Sequence, residues 1–349
     1  MSNIKTVVNL KSIKDFLKIN YPSYSDVKNI KGGEMSAIYF FTENDVNYVL
    51  RLRKNDQNFK KEQLIYESLK NSDIPVAEIL KVGQFDSNYY YCLSRKVIGQ
   101  THDKLSITKK IHCVESFIST LKKIHLFSHN FINQGTIDKN GVGKYINWNK
   151  KFIKEFAKFY NYKTRNIWDY KIAEKLLVKI DRLIKYCPTS INNLYHGDYG
   201  NDNVLINNNK VTAVLDWGDT FGVGDYIMDI AWLDFWSKEI SYKDYYIKQM
   251  DKSLNIEYFE ERYLFYQLYI ALTTLEFYSN TEQPGSFKWL VEYITEVKKL
   301  VPITNLVYYR WLSRSRIQAE LPDAENQLTL IEKILPQNIP ASGNQIKNQ

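Results

Sequence analysis

Residues 194–206 read LYHGDYGNDNVLI, and residues 211–218 follow as VTAVLDWG. His196, Asp198 and Asn203 thus stand in an H-G-D-x4-N pattern. A short apolar strand, a turn and a second apolar strand lead from there to Asp216. Taken singly, each residue has an ordinary structural use: Asp and Asn form turns and caps, and a histidine is commonly a hydrogen bonder. Taken together at this spacing they suit one chemistry. One carboxylate can receive or orient the proton of an attacking hydroxyl. An amide oxygen and a second carboxylate suit a hard divalent cation, which prefers oxygen ligands.

That combination is what phosphoryl transfer uses. Protein kinases carry H-R-D-x4-N followed by D-F-G. Here the Asp-to-Asn spacing is the same, while Gly197 replaces Arg and Trp217-Gly218 replaces Phe-Gly. The pattern resembles the aminoglycoside phosphotransferase family, and within it the hygromycin B phosphotransferases. Further likeness lies in Tyr48-Val49-Leu50-Arg51, in Tyr91-Cys92-Leu93-Ser94-Arg95, in Gly141-Val142-Gly143-Lys144-Tyr145 with Trp148, and in the GDYIMDIA run of residues 224–231. The resemblance covers about residues 30–300 and is strongest at the catalytic motif.

It implies an α+β, bilobal, protein-kinase-like fold. A small β-rich nucleotide-binding lobe would span residues 1–97 and a larger helical lobe 98–335, with a hinge about 93–99. The cofactors would be ATP, with GTP open, and Mg²⁺. The reaction would be O-phosphorylation of an aminoglycoside or aminocyclitol antibiotic of the hygromycin B type, conferring resistance. Asp198 would be the catalytic carboxylate, His196 would orient its loop, and Asn203 and Asp216 would hold the metal. Gly32, Gly33 and Ser36 resemble the loop that covers the nucleotide. Where the family usually has a phosphate-gripping Lys, this chain has Arg51, with Glu62 its expected partner and Glu67 the second choice. Arg53 shares Arg51's side of the strand by alternation. Asp225 and Asp229 read as structural residues that cap helices and brace the metal loop.

Composition bounds the rest. A 349-residue chain can bury a large core. Three scattered cysteines, Cys92, Cys113 and Cys187, show no metal spacing and point to a reducing cytoplasm. No signal-like or membrane-spanning run appears, so neither membrane nor nucleic acid is expected as a partner, and the state would be monomer or weak dimer. Net charge is +8, yet residues 196–297 hold 17 acidic against 7 basic residues, a balance of −10. A local acidic surface suits a cationic amino-sugar acceptor. Asp202, Asp219, Asp234, Glu276 and Glu282 are candidates for its ammonium groups, with Asp202 and Asp219 best placed in sequence, and Trp236 for stacking.

Periodicity places helices over about 59–71, 107–124, 172–184 and 262–278, and strands at 38–41, 48–52 and 89–97. Apolar residues Ile107, Ile111, Val114, Ile118, Leu121 and Ile124 mark the second helix's buried stripe. The Asn/Gln-rich tail from residue 336 reads as disordered. Two rivals share much of the pattern. A kinase of choline, homoserine or methylthioribose would use the same core. A pseudokinase would bind nucleotide without transfer, and Arg51 is the one departure that favours it.

Overall fold

Alternation of apolar and polar residues builds a five-stranded antiparallel sheet from the first part of the chain. The structure, a computed structural model, describes residues 6, 8–30, 36–159, 167–237, 239–297 and 299. Gly32, Gly33 and the tail from 336 lie outside the described residues. The sheet runs β1 (Tyr24–Ile30), β2 (Ala37–Glu43), β3 (Val46–Arg53), β5 (Tyr90–Arg95), β4 (Ile79–Gln84). Asn44 and Asp45 turn β2 into β3 with φ of 49° and 62°, a conformation these residue types tolerate in two-residue hairpins. Tyr39, Phe41, Leu50, Leu52 and Leu93 pack with Ile13 and Leu17 of α1 (Leu10–Asn20) in one core. Strand alternation puts Arg51 and Arg53 on the other side of β3. There, Cys92 and Ile79 pack with Phe59 of α2 (Gln57–Leu69).

β5 ends at Arg95, and residues 96–99 lead to β6 (Gln100–Thr101). β6 borders β10 (Val204–Asn207), which pairs with β11 (Lys210–Val214). A second small sheet has the order β8 (Gly143–Tyr145), β7 (Gln134–Ile137), β12 (Gly222–Gly224), β9 (Asn193–Tyr195). The Gly-Val-Gly of β12 is a spacing requirement. A Cβ on Gly224 would stand 2.1 Å from the Trp148 ring, and one on Gly222 2.2 Å from the Gly135 carbonyl oxygen.

α3 (Ile107–Leu126) begins at Ser106, whose side chain accepts from the Lys109 amide. Its buried stripe is Cys113, Val114, Phe117, Ile118, Leu121 and Ile124. Ile107 and Ile111 are exposed at 39% and 48%. Periodicity expected both inside; the packed layer begins only after the first turns, so the stripe outruns the core. α4 (Trp148–Phe159), α6 (Ile227–Trp236), α7 (Tyr242–Lys248) and α8 (Phe259–Asn280) follow.

The chain forms two compact units, Met1–Lys151 with Tyr186–Ile270, and Phe152–Lys185 with Ala271–Gln349. In the second, α5 (Tyr170–Leu183) is capped by Asp169 and buries Ala173, Leu176, Leu177 and Ile180. α9 (Pro284–Glu292) opens on a proline, which costs no helical hydrogen bond there. Trp168 meets the Phe287 ring edge-on at 5.2 Å. Among the described residues, no helix is long and apolar enough to cross a membrane, and Cys92, Cys113 and Cys187 are buried thiols.

Candidate active site

β9 delivers the chain into a loop whose shape is set by one carboxylate. Asp229, fully buried near the start of α6, accepts from the backbone amides of His196 at 2.7 Å and Gly197 at 2.6 Å. His125 approaches the same carboxylate with Nε2 at 3.0 Å, and its Nδ1 lies 2.7 Å from the Tyr246 hydroxyl. A carboxylate only accepts, so Nε2 carries a proton and donates to Asp229. Asp229 therefore braces the His196–Asp198 loop rather than the segment that begins at Asp216. Gly197 turns the loop at φ +81°. A Cβ there would stand 2.8 Å from Thr220 Cβ, which is why this chain has no room for a larger residue between His196 and Asp198.

His196 is wholly buried, and desolvation lowers its pKa. Its Nδ1 accepts from the Asp198 amide at 3.3 Å, so Nε2 is the donor to the Leu215 carbonyl at 2.9 Å. The neutral ring ties the Asp198 loop to the chain just before Asp216. Asn203 Nδ2 donates to Asp198 Oδ2 at 2.8 Å and to the Asp198 carbonyl at 3.0 Å. Burial pushes the Asp198 carboxyl up to about 7; the charges of Asp216 and Asp202 add to the shift and the Asn203 bond opposes it.

Asp216 adopts φ 57°, and its buried Oδ1 accepts no hydrogen bond from the described residues. The Asn203 amide nitrogen is already committed to Asp198, which leaves its oxygen as the remaining donor atom. A carboxylate oxygen without a donor and an uncommitted amide oxygen are the donor types that suit a hard cation such as Mg²⁺, whose other ligands can be phosphate oxygens and water. Among the described residues, no group of three His, Cys, Asp or Glu could enclose a metal alone.

On the sheet side, Arg51 meets both oxygens of Glu62, at 3.0 and 2.5 Å. Glu67 pairs with Lys70 instead. The Arg51 guanidinium also lies 5.4 Å from the Phe59 ring centre. Ser36 accepts from Arg53 Nε at 2.6 Å. Lys61, next to Glu62 on α2, is buried and donates to the Phe221 carbonyl at 2.8 Å; burial brings its pKa down to about 8 against the pull of Asp219 and Asp216.

The expected acceptor residues are placed unequally. Asp202 is exposed beside the catalytic loop. Asp219 is engaged by Arg53 and Asn58. Asp234 does not reach the cluster: it is buried and accepts from the Tyr242 amide at 2.6 Å and the Tyr263 hydroxyl at 2.8 Å, capping α7. Glu276 lies on α8 in the second unit, and Glu282 follows that helix exposed. Trp236 lines a cavity of about 220 Å³ with Trp232, Tyr199, Asn201, His102 and Glu239. Reading the sequence missed Lys61, Asn58 and the buried Arg262, which no local pattern marks. Arg53 alone carried a signal, its shared strand face with Arg51.

A model of the phosphotransferase enzyme family matches residues 26–249. The chain belongs to the phosphotransferase enzyme family. This phosphotransferase is 28% identical to the Hygromycin-B 4-O-kinase of Escherichia coli over 229 residues, 64% of this chain and 66% of that protein. Its fold matches the crystal structure of aminoglycoside phosphotransferase APH(4)-Ia with a TM-score of 0.73 at 23% identity, covering 84% of this chain and 100% of that one. A thermostable mutant of APH(4)-Ia, solved as a ternary complex with AMP-PNP and hygromycin B, matches with a TM-score of 0.73 at 24% identity over the same shares. ADP-bound APH(2'')-Ib matches with a TM-score of 0.55 at 17% identity, covering 84% of this chain and 98% of that one. The fold is protein-kinase-like.

Proposed function

We propose that this phosphotransferase moves the γ-phosphoryl group of ATP to a hydroxyl of an aminoglycoside or aminocyclitol antibiotic of the hygromycin B type, and so confers resistance. The observation that carries the reading is the Asp198 carboxyl, held by Asn203 at 2.8 Å and raised to about 7 beside Asp216. The likeness to a hygromycin-B 4-O-kinase supports the acceptor class.

Asp198 takes the acceptor's hydroxyl hydrogen as the phosphoryl group is transferred. A carboxylate held by Asn203 at 2.8 Å suits that role, since a general base must first be placed where the proton is taken. Asn203 fixes the Asp198 rotamer, and Asp229 fixes the backbone on which it rides. Positioning of this kind carries most of the catalysis when the transition state is loose. Asp216 and the Asn203 amide oxygen would hold Mg²⁺, which would supply positive charge to the phosphates. Arg51, preset by Glu62, is the nucleotide-binding cation in place of the usual Lys. Asp202 and the Trp236 cavity wall are the proposed acceptor contacts, and Asp234 is better explained as a helix cap.

The aromatic cavity also suits a quaternary ammonium, which favours a choline-type kinase as the second reading. A coupled ADP-release assay with hygromycin B, other aminoglycosides, choline, homoserine and methylthioribose separates the two. Turnover on hygromycin B that vanishes in Asp198→Ala is the expected result. Turnover on choline alone would discard the antibiotic acceptor and keep the mechanism. Nucleotide binding with no turnover on any acceptor would favour a pseudokinase.

A further inference from the structure

Two arginines on one face of β3 are held very differently. Arg51 is committed, its fork meeting both Glu62 oxygens at 3.0 and 2.5 Å. Arg53 is the more buried, at 8% exposure, but loosely partnered. Its two terminal nitrogens share one oxygen, Asp219 Oδ2, each at 3.4 Å. Charge-assisted N–H···O bonds are usually about 2.7–2.9 Å. The second nitrogen also stands 3.9 Å from Asp216 Oδ1, the oxygen that accepts no hydrogen bond from the described residues. Among the described residues only its Nε is firmly bound, to Ser36, three positions after Gly33 in sequence.

A guanidinium desolvated and then left with long, shared contacts has unused donor capacity. Its planar fork matches phosphate oxygens as well as carboxylates. The carboxylates it faces belong to the segment that starts at Asp216. We propose that Arg53 is a second phosphate-binding cation of this enzyme, and that in the nucleotide-free chain it neutralises Asp216 and Asp219 in competition with Mg²⁺. The inference rests on the reading of Asp216 as the metal carboxylate.

Two effects of opposite sign follow from removing the charge. Phosphate binding without metal loses a cation and weakens. Mg²⁺ meets a less neutralised Asp216 and is taken up at lower concentration. A side chain that merely braced the loop would weaken both.

The test is calorimetric titration of the full chain with AMP-PNP, in EDTA and across a Mg²⁺ series. Arg53→Gln should weaken AMP-PNP binding in EDTA by roughly tenfold, the order of one lost charge-assisted contact, while the Mg²⁺ concentration for half-maximal binding falls. Arg53→Lys should restore much of the EDTA affinity. Asp219→Asn, which removes a competing partner, should tighten binding in EDTA. Unchanged affinity in Arg53→Gln, or parallel weakening in both conditions together with weakening in Asp219→Asn, would overturn the proposal. Asp216→Ala with an unaltered Mg²⁺ requirement would instead overturn the metal reading beneath it, and an unaltered chain that binds no AMP-PNP would sink both.

Discussion

Gly197 stands where protein kinases place an arginine, and its reason is local geometry. Its φ of +81° and the 2.8 Å approach to Thr220 Cβ leave no space for a side chain. A non-glycine residue in left-handed backbone costs about 1–2 kcal/mol before any clash is counted. Gly197→Ala should therefore lower unfolding free energy by about 2 kcal/mol or more, and should cut kcat because Asp198 shifts with the loop; urea unfolding and ADP release check the pair. Asp198→Ala should cut kcat by about 10²–10⁴-fold and leave AMP-PNP affinity nearly unchanged; calorimetry beside the coupled assay reads both. The trio Asp198, Asn203 and Asp216 was legible because its spacing is short and local. The environment of Asp219 was not. Its partners Asn58 and Arg53 are 161 and 166 positions away, so nothing near it in sequence showed its carboxylate already engaged.

At the scale of elements, periodicity found α2, α3, α5 and α8, since burial of one helix face leaves a regular trace. It could not say where along α3 the core begins, and so placed Ile107 and Ile111 inside. The short 3-10 turn at His102–Lys104 before α3 left no such trace. His102 there stacks on Phe117 at 4.3 Å, and burial lowers its pKa to about 4, with Lys110 adding to the shift. Between that value and the ordinary 6.5 the unfolded chain binds more protons than the folded one, so stability rises with pH in that window. The contribution is full above about 6.5 and is lost as pH falls toward 4, an effect on the order of 3 kcal/mol. The fall in melting temperature between pH 7 and pH 4.5 should be shallower in His102→Phe. Asp225 links the end of β12 to α8 through Arg262, whose Nε and a terminal nitrogen donate at 2.8 and 2.5 Å, with the Tyr266 hydroxyl also at 2.8 Å. Arg262→Met would leave a buried carboxylate without its cation. A loss of about 3–5 kcal/mol is expected, measured by denaturant unfolding.

For the whole molecule the governing quantity is the distribution of charge. The net +8 conceals a −10 balance over residues 196–297, and exposed charges act over only about 10 Å at 0.1 M salt. A polycationic acceptor should therefore bind more weakly as salt rises. Its KM should increase several-fold from about 0.05 to 0.5 M KCl with kcat little changed; a salt-independent KM would count against the acidic surface as its recognition element. Sequence alone pointed to the chemistry, because a carboxylate, an amide and a second carboxylate at a kinase-like spacing can be recognised from neighbours along the chain, and it marked the strand face shared by Arg51 and Arg53. Tertiary structure decided how the aspartates divide. Asp198 is raised to about 7 beside Asp216, while Asp225, Asp229 and Asp234 are buried in the framework among hydrogen-bond donors. The sequence set Asp225 and Asp229 apart as structural but grouped Asp234 with the acceptor contacts, whereas it is buried and takes the Tyr242 amide and the Tyr263 hydroxyl. What separates these aspartates is desolvation and the donors that reach them, and those come from helices and strands far away along the chain.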